Sequence, residues 1–297
     1  MGRAAPPDRR DAVATQTGRP TAIDLFSGAG GATQGLADAG FDVIGAVEFD
    51  AIAAESYRLN HPAVRLWEQD IKTLTAIGVG SELRLAPGEL GLLKACPPCQ
   101  GFSSLAEGRI GPDDPRNELV RHTVRFVRAL RPKAVLVENV PGLGRDRRSS
   151  ELLASLRQLG YNGRSYQVNA VNFGVPQRRK RLIILALRGL RSILPDSLSP
   201  ADPEEPRTVR QTFDQLSCEV ADDDPLSLPR VLPAKVLKRV EAIPVGGNRF
   251  DLPVELQLDC HRRLADEGKN GAAALGRTRT DYDDTMHDAR VWAVSTP

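Results

Sequence analysis

The run Lys94-Ala95-Cys96-Pro97-Pro98-Cys99-Gln100-Gly101 places a thiol where a strand stops. The apolar pair Leu92-Leu93 leads into it, and two prolines then forbid both helix and ladder hydrogen bonding. Residues before proline are held extended, so Cys96 and Pro97 continue the strand direction. Cys99 arrives on a stiff loop, with Gln100 and Gly101 free to turn, which is how a nucleophile is held out to a substrate. The same Cys-x-x-Cys spacing admits two other chemistries. A thioredoxin-like redox pair suits a strand-to-helix junction, and a zinc site needs a second ligand pair. The other cysteines, Cys218 and Cys260, stand alone without a close second ligand.

Other residues with chemical potential lie at intervals around this loop. Ser27-Gly28-Ala29-Gly30-Gly31 interrupts an apolar run before a helix, so a ligand can approach backbone N–H groups at the positive end of that helix. Thr33 stands where the dinucleotide pattern wants its third glycine. Glu48 follows Gly28 by 20 residues, the distance at which a carboxylate reaches ribose hydroxyls across a sheet edge; the alternative is a strand-end acid facing water. Asp70 ends a short extended piece and can accept from an exocyclic amine. Glu138, in Glu138-Asn139-Val140-Pro141, is another carboxylate where a strand stops. The loop Gln177-Arg178-Arg179-Lys180-Arg181 offers cations that could stabilise developing negative charge, or form a solvated basic face or phosphate patch.

The elements that must position these residues alternate. Strands are expected at 21–26, 41–47, 94–96, 133–137, 166–171 and 182–187. Helices are expected around 36–39 (ended by Gly40), at 51–59, along the stripe Leu119, Thr123, Val127 and Leu130, and at 150–159. Segment 73–89 gives no signal. Alternation of this kind makes a doubly wound α/β sheet, whose ligands bind beyond the carboxyl ends of the strands. The glycine loop, Glu48, Asp70, Cys99 and Glu138 all fall at expected strand ends.

The 297 residues suffice for one large domain or two modest ones, and 41% hydrophobic with 26% charged residues is the balance of a globular protein. A net charge of +2 permits a nucleic-acid partner without arguing for one. Four cysteines do not make a disulfide framework, which points to a reducing, cytoplasmic compartment. No membrane-spanning run is present. The expected organisation is an unstructured tail over 1–19, a catalytic domain over 20–190, and a linker with a smaller region over 191–297. A helix at 233–242 and a turn at 245–249 are the legible pieces of that last part.

Asp24-Leu25-Phe26-Ser27-Gly28-Ala29-Gly30-Gly31, Pro97-Pro98-Cys99-Gln100, Glu138-Asn139-Val140 and Gln177-x-Arg179-x-Arg181 occur in the order found in DNA cytosine-5 methyltransferases. Over residues 20 to 190 the chain resembles a bacterial member of that family. The resemblance implies a Rossmann-like, S-adenosylmethionine-dependent methyltransferase sheet and a partial target-recognition region after it. It implies S-adenosylmethionine held by Phe26, Gly28 and Gly30, with Glu48 on the ribose, Asp70 at the adenine and Pro98 bordering the cofactor. Cys99 matches the nucleophile, Glu138 the residue at cytosine N3, and Arg179 and Arg181 the arginines near base and loop. No metal is implied. The implied substrate is double-stranded DNA with the target base flipped out, because C6 cannot be attacked within the stack. Residues 101–116 correspond to the loop that closes over DNA, and Gly246 to Pro253 is similar to a recognition-region segment.

After the recognition region the family carries an arginine- and glutamate-containing motif, then a glycine-asparagine motif whose helix packs beside the cofactor loop. Neither occurs before Pro297, and Gly268-Lys269-Asn270-Gly271 is a poor substitute. The expectation is therefore a chain weak or inactive alone, either the product of a truncated or frameshifted gene or one part of a split enzyme completed by a complementary C-terminal polypeptide. Two further classes fit part of the pattern. A nicotinamide-dependent oxidoreductase explains the glycine loop and Glu48 but not Cys99 with Glu138. A DNA-binding remnant without catalysis explains the absent motifs.

Overall fold

The structure, a computed structural model, describes residues 18–98, 119–189, 191–200, 205–215, 231–244, 247–259 and 262. Residues 1–17 of the expected tail, Cys99, the 101–116 loop and the 268–271 segment lie outside the described residues, whereas Arg19, expected in the tail, donates to Gly40 O and Ala37 O at the end of the first helix. The chain divides into two compact units, one comprising residues 1–169 and 180–201, the other 170–179 and 202–297.

The first unit is built on one sheet. Its strands are β1 (Thr21–Leu25), β2 (Asp42–Glu48), β3 (Arg65–Glu68), β4 (Leu92–Ala95), β5 (Ala134–Asn139), β6 (Tyr161–Asn169) and β7 (Lys180–Arg188). They lie in the order β3-β2-β1-β4-β5-β7-β6. The pairs from β3 through β5 are parallel, whereas β7 runs antiparallel to both β5 and β6. Every residue of β1 and β4 is buried, as central parallel strands covered on both faces require. The chain winds outward from β1 to β3 and then returns to β4 on the other side of β1. That reversal opens a crevice between the carboxyl ends of β1 and β4.

The helices are α1 (Gly31–Asp38), α2 (Ala51–Asn60), α3 (Ala76–Glu82), α4 (Val120–Leu130) and α5 (Arg147–Gln158). Leu36 of α1 packs with Ala22, Val43 and Leu92, while α2 sets Ala54 and Tyr57 against Ala46 and Leu66. The opposite sheet face joins Ile23, Leu25, Leu93, Val135 and Val137 to Val79, Phe126, Val127, Leu152 and Leu156 in the main core. On α4 the buried residues Val120, Thr123, Phe126, Val127 and Leu130 follow the helical three-four spacing. Side-chain caps start α2 (Asp50 accepting from Ala53 N, 2.9 Å), α3 (Thr75 from Gly78 N, 3.2 Å) and α5 (Asp146 from Arg148 N, 2.9 Å).

Two readings of the sequence change here. The uninformative segment contains α3, hidden because Gly78 and Gly80 lower its helical propensity. Gly80 is tolerated because a Cβ there would already meet Leu130 Cδ2 at 3.0 Å, so its smallness lets α3 lie close on α4. The strand expected at 166–171 begins earlier, at Tyr161, and stops at Asn169; Ala170 and Val171 instead start the short 3-10 turn Ala170–Phe173.

In the second unit, α6 (Val209–Asp214) opens with a reciprocal capping box between Thr208 and Gln211, and α7 (Ala234–Ala242) follows Pro233. Arg239 Nε donates to Leu256 O at 2.8 Å, which ties α7 to the 250–257 segment, and Gln257 Nε2 donates to Leu252 O at 2.7 Å within that segment. Among the described residues, no helix is long and apolar enough to cross a membrane.

Candidate active site

The glycine loop leaves β1 through Phe26, whose φ of 59° is a left-handed conformation rarely taken by an aromatic residue and most often found at functional sites. Gly28 (φ 57°) and Gly30 (φ 97°) complete the turn into α1. Nothing lies within 4 Å of where a Gly28 Cβ would stand, so the space over its backbone is open. Gly30 is the N-cap of α1 and supplies no side-chain acceptor, which leaves the first-turn N–H groups without a side-chain cap. On its other side Gly30 is crowded: a Cβ would run into the His61 ring, which contacts Gly30 O through Nε2 at 3.0 Å. Gly30→Ala therefore combines a disfavoured φ with a steric clash. We expect a loss of about 1–2 kcal/mol, seen as a Tm lower by roughly 2–8 °C in a thermal melt.

Glu48 ends β2 with its carboxylate turned to this loop. Oε2 accepts from Gly28 N at 2.7 Å, and Oε1 accepts from Phe49 N at 2.9 Å and Asp50 N at 2.8 Å. Three of about four carboxylate acceptor positions are filled, leaving one on Oε2 for a hydroxyl donor. Next to it the Phe49 ring is 72% exposed, an apolar flat surface offered to solvent beside the acid. Phe49 is not among the residues that motif and spacing single out, although an aromatic residue directly after a strand-end carboxylate is a local signal. Asp70 follows β3, half-buried, and its Oδ1 accepts from Lys72 N at 2.9 Å. These residues fit an adenosyl group: an open glycine cradle, uncapped helix N–H groups, a carboxylate with spare acceptor capacity and an exposed ring.

Beneath the loop runs a buried polar chain that sequence spacing does not reveal. Lys94 Nζ of β4 contacts Asp24 Oδ1 of β1 at 2.8 Å, with the side chains 6% and 0% exposed. Asp24 Oδ2 accepts from Thr33 Oγ1 at 2.9 Å, and Thr33 Oγ1 lies 2.9 Å from Tyr57 Oη. Burial pushes the Tyr57 hydroxyl up to about 12, against the opposing effect of the Thr33 hydrogen bond. The chain joins the ends of β1 and β4 to α1 and α2. Thr33, where a dinucleotide loop would carry glycine, thus serves as a link in this chain.

Across the crevice, β4 and β5 deliver the second cluster. Asn139 is buried and its Nδ2 donates to Pro97 O at 3.0 Å, fixing the proline loop to β5, while Cys96 N donates to Leu25 O at 3.1 Å. Glu138 Oε1 pairs with Arg181 Nε of β7 at 2.8 Å, and Glu138 Oε2 accepts from Cys96 Sγ at 2.6 Å. Burial first, then the hydrogen bond to Glu138 and the charge of Glu138, push the Cys96 thiol up to about 12. Such a thiol is a poor attacking group, which weighs against Cys96 as half of a redox pair.

Glu138, Arg181, Cys96 and Pro98 are thus on one edge of the first unit with Phe26, Gly28, Gly30, Glu48 and Asp70. Arg179 belongs to the second unit, where its carbonyl accepts from Ala170 N at 3.0 Å. Cys99 lies outside the described residues, one position beyond Pro98. Among the described residues no group of three or more His, Cys, Asp or Glu side chains could hold a metal ion.

Residues 21–227 match the family model for the C-5 cytosine-specific DNA methylases. The chain belongs to that family. Among relatives, Type II methyltransferase M.XorII of Xanthomonas oryzae is 40% identical over 195 residues, 63% of this chain and 43% of its own length. Type II methyltransferase M1.HphI of Haemophilus parahaemolyticus is 31% identical over 80% of this chain and 64% of its own. The chain therefore spans only about half the length of such relatives. A solved DNA modification methyltransferase encoded within an E. coli prophage superposes with a TM-score of 0.54 at 32% identity, over 62% of this chain and 52% of that one. The Dnmt2 methyltransferase of S. pombe, at 23% identity and a TM-score of 0.53, shares the fold over 76% of this chain. The family expected from the four motifs is the family matched, and members of it use S-adenosylmethionine as methyl donor.

Proposed function

We propose that this chain transfers a methyl group from S-adenosylmethionine to C5 of cytosine in double-stranded DNA, through a covalent bond between Cys99 and C6 of a flipped base. The observation that carries this reading is the Glu138 carboxylate bonded to Arg181 on the edge that the Cys99 loop leaves, beside the glycine cradle. The bound donor supplies an electrophilic methyl on a sulfonium. Phe26, Gly28, Gly30 and Pro98 would border it, Glu48 would accept from a ribose hydroxyl, and Asp70 would accept from the adenine amine.

Cytosine C5 is too weak a nucleophile to be alkylated directly. Addition of the Cys99 thiolate to C6 would move the ring electron pair toward N3, to which Glu138 would pass a proton taken up from solvent as the base binds. Arg181 donates toward the O2 carbonyl and stabilises the same charge, with Arg179 a further cation for base or loop. C5, now enamine-like, would take the methyl as the donor's S–CH3 bond breaks and its sulfur leaves as a neutral thioether. Loss of the C5 proton to a base, with return of the N3 proton to Glu138, would then expel the thiolate and restore the ring. The duplex must yield the base first, since C6 is closed to attack within the stack. On this reading the protein works in the cytoplasm.

We further propose that residues 1–297 by themselves are a weak catalyst and need an additional C-terminal segment, whether continuous with Pro297 or a separate polypeptide. The support is that β5 and β7 each bury one face fully and leave the other half-exposed, with Leu136, Ile183, Leu185 and Leu187 on the half-exposed side. Covering apolar surface stabilises at about 25 cal/mol per Å², and a ligand that binds only the folded state raises its stability. The test is transfer of a tritiated methyl group to unmethylated DNA, with and without a supplied C-terminal family fragment. The expected result is incorporation that rises, together with Tm and donor affinity, when the fragment is added. Full, saturable turnover unaffected by the fragment overturns the second proposal; no incorporation under either condition overturns the first.

A further inference from the structure

We propose that Cys96 is a positioning residue for Glu138: its thiol hydrogen and the Arg181 guanidinium each hold one oxygen of the Glu138 carboxyl group, fixing it from the two neighbouring strands. This rests on the function proposed above, in which Glu138 serves the base.

The placement follows from strand register. Lys94 pairs with Leu136 and Ala95 with Val137, so one step beyond β4 brings Cys96 opposite Glu138. On the other side Glu138 pairs with Ile183 in the antiparallel β5–β7 ladder, and Arg181, two residues away, projects from the same face. Cys96, Glu138 and Arg181 therefore share one face across three adjacent strands. Their contacts are 2.6 Å to Oε2 and 2.8 Å to Oε1. A carboxyl group on a free side chain rotates about its terminal torsion with little preference; one donor on each oxygen removes that freedom. The charged groups acting on Cys96 are Glu138 and Asp24, which both favour the thiol, and Lys94, which opposes them. Burial, the largest cause, together with these charges keeps Cys96 protonated, and so a donor, throughout the neutral range.

A role in catalysis through Glu138 differs from a role in packing. The readouts are steady-state methyl transfer, with the C-terminal fragment present, and Tm for Cys96→Ala and Cys96→Ser. Cys96→Ala should lower kcat by about tenfold, the cost of one hydrogen bond to a charged group, with KM for donor and DNA and the Tm near those of the parent. Cys96→Ser restores an O–H donor and should recover most of kcat. Equal kcat for the alanine variant and the parent overturns the proposal, as does a loss that serine fails to repair.

A second measurement needs no turnover. In a Cys99→Ser background, alkylation of Cys96 by iodoacetamide is followed by peptide mass mapping at one mildly alkaline pH. Replacing Glu138 with glutamine should speed it by roughly tenfold, because the charge that suppresses the thiolate is gone. An unchanged rate shows that Cys96 and Glu138 are not in contact and overturns the proposal. If the parent transfers no methyl group under any condition, the function proposed above falls, while the alkylation rates still decide whether Cys96 holds Glu138.

Discussion

Cys99→Ser should abolish covalent capture of DNA containing 5-fluorocytosine and lower methyl transfer by several orders of magnitude, whereas Cys96→Ser should retain capture. The fluorine at C5 cannot leave as a proton does, so the adduct persists and denaturing electrophoresis shows it as a shifted band. The two thiols differ in what surrounds them. Cys96 sits half-buried against a carboxylate that keeps it protonated. Cys99 follows a proline pair whose first carbonyl is held by Asn139, so the chain leaves the strand edge from a fixed point. A serine at position 99 preserves shape but lacks an accessible anion at neutral pH. Equal loss of capture in both variants would point to a functional pair of thiols and count against a single nucleophile.

The second large effect concerns stability. Asp24→Ala leaves the Lys94 ammonium buried without its counter-ion at the centre of the sheet, since the pair is 2.8 Å apart with side chains 6% and 0% exposed. Breaking a buried pair from one side costs about 3–5 kcal/mol, which for a unit of this size lowers Tm by roughly 6–20 °C. It also removes the acceptor for Thr33 Oγ1, so the α1 end of the cofactor loop loosens with it. Replacing both partners by apolar residues, Asp24→Leu with Lys94→Met, should recover much of the loss, because no uncompensated charge remains. The check is a thermal melt of the three proteins. A single Asp24→Ala variant melting within about 2 °C of the parent would mean that water reaches Lys94.

The motif residues and the α/β alternation were legible in the sequence because they are local. A glycine loop after an apolar run, prolines flanking a cysteine and carboxylates at strand ends each state their geometry within a few residues. The matched family agrees with the order of those motifs. Helix α3 was not legible, since its two glycines argue against a helix and only contact with Leu130 explains one of them. The antiparallel direction of β7 was not legible either, because the two-residue period of a strand is the same in both directions.

What the sequence by itself determined is which groups are present and where the chain must turn: Gly28 and Gly30, Glu48, Asp70, the Pro97-Pro98-Cys99 loop, Glu138 and the arginine loop. What only the tertiary structure decided is which of them meet. Cys96, Glu138 and Arg181 lie far apart in the chain and converge because β4, β5 and β7 are neighbours in one register. Lys94, which composition alone would send to the surface, is buried because strand order sets it beside Asp24. Pairing between strands depends on which faces of the sheet are buried, a property of the assembled core that no window of local residues contains.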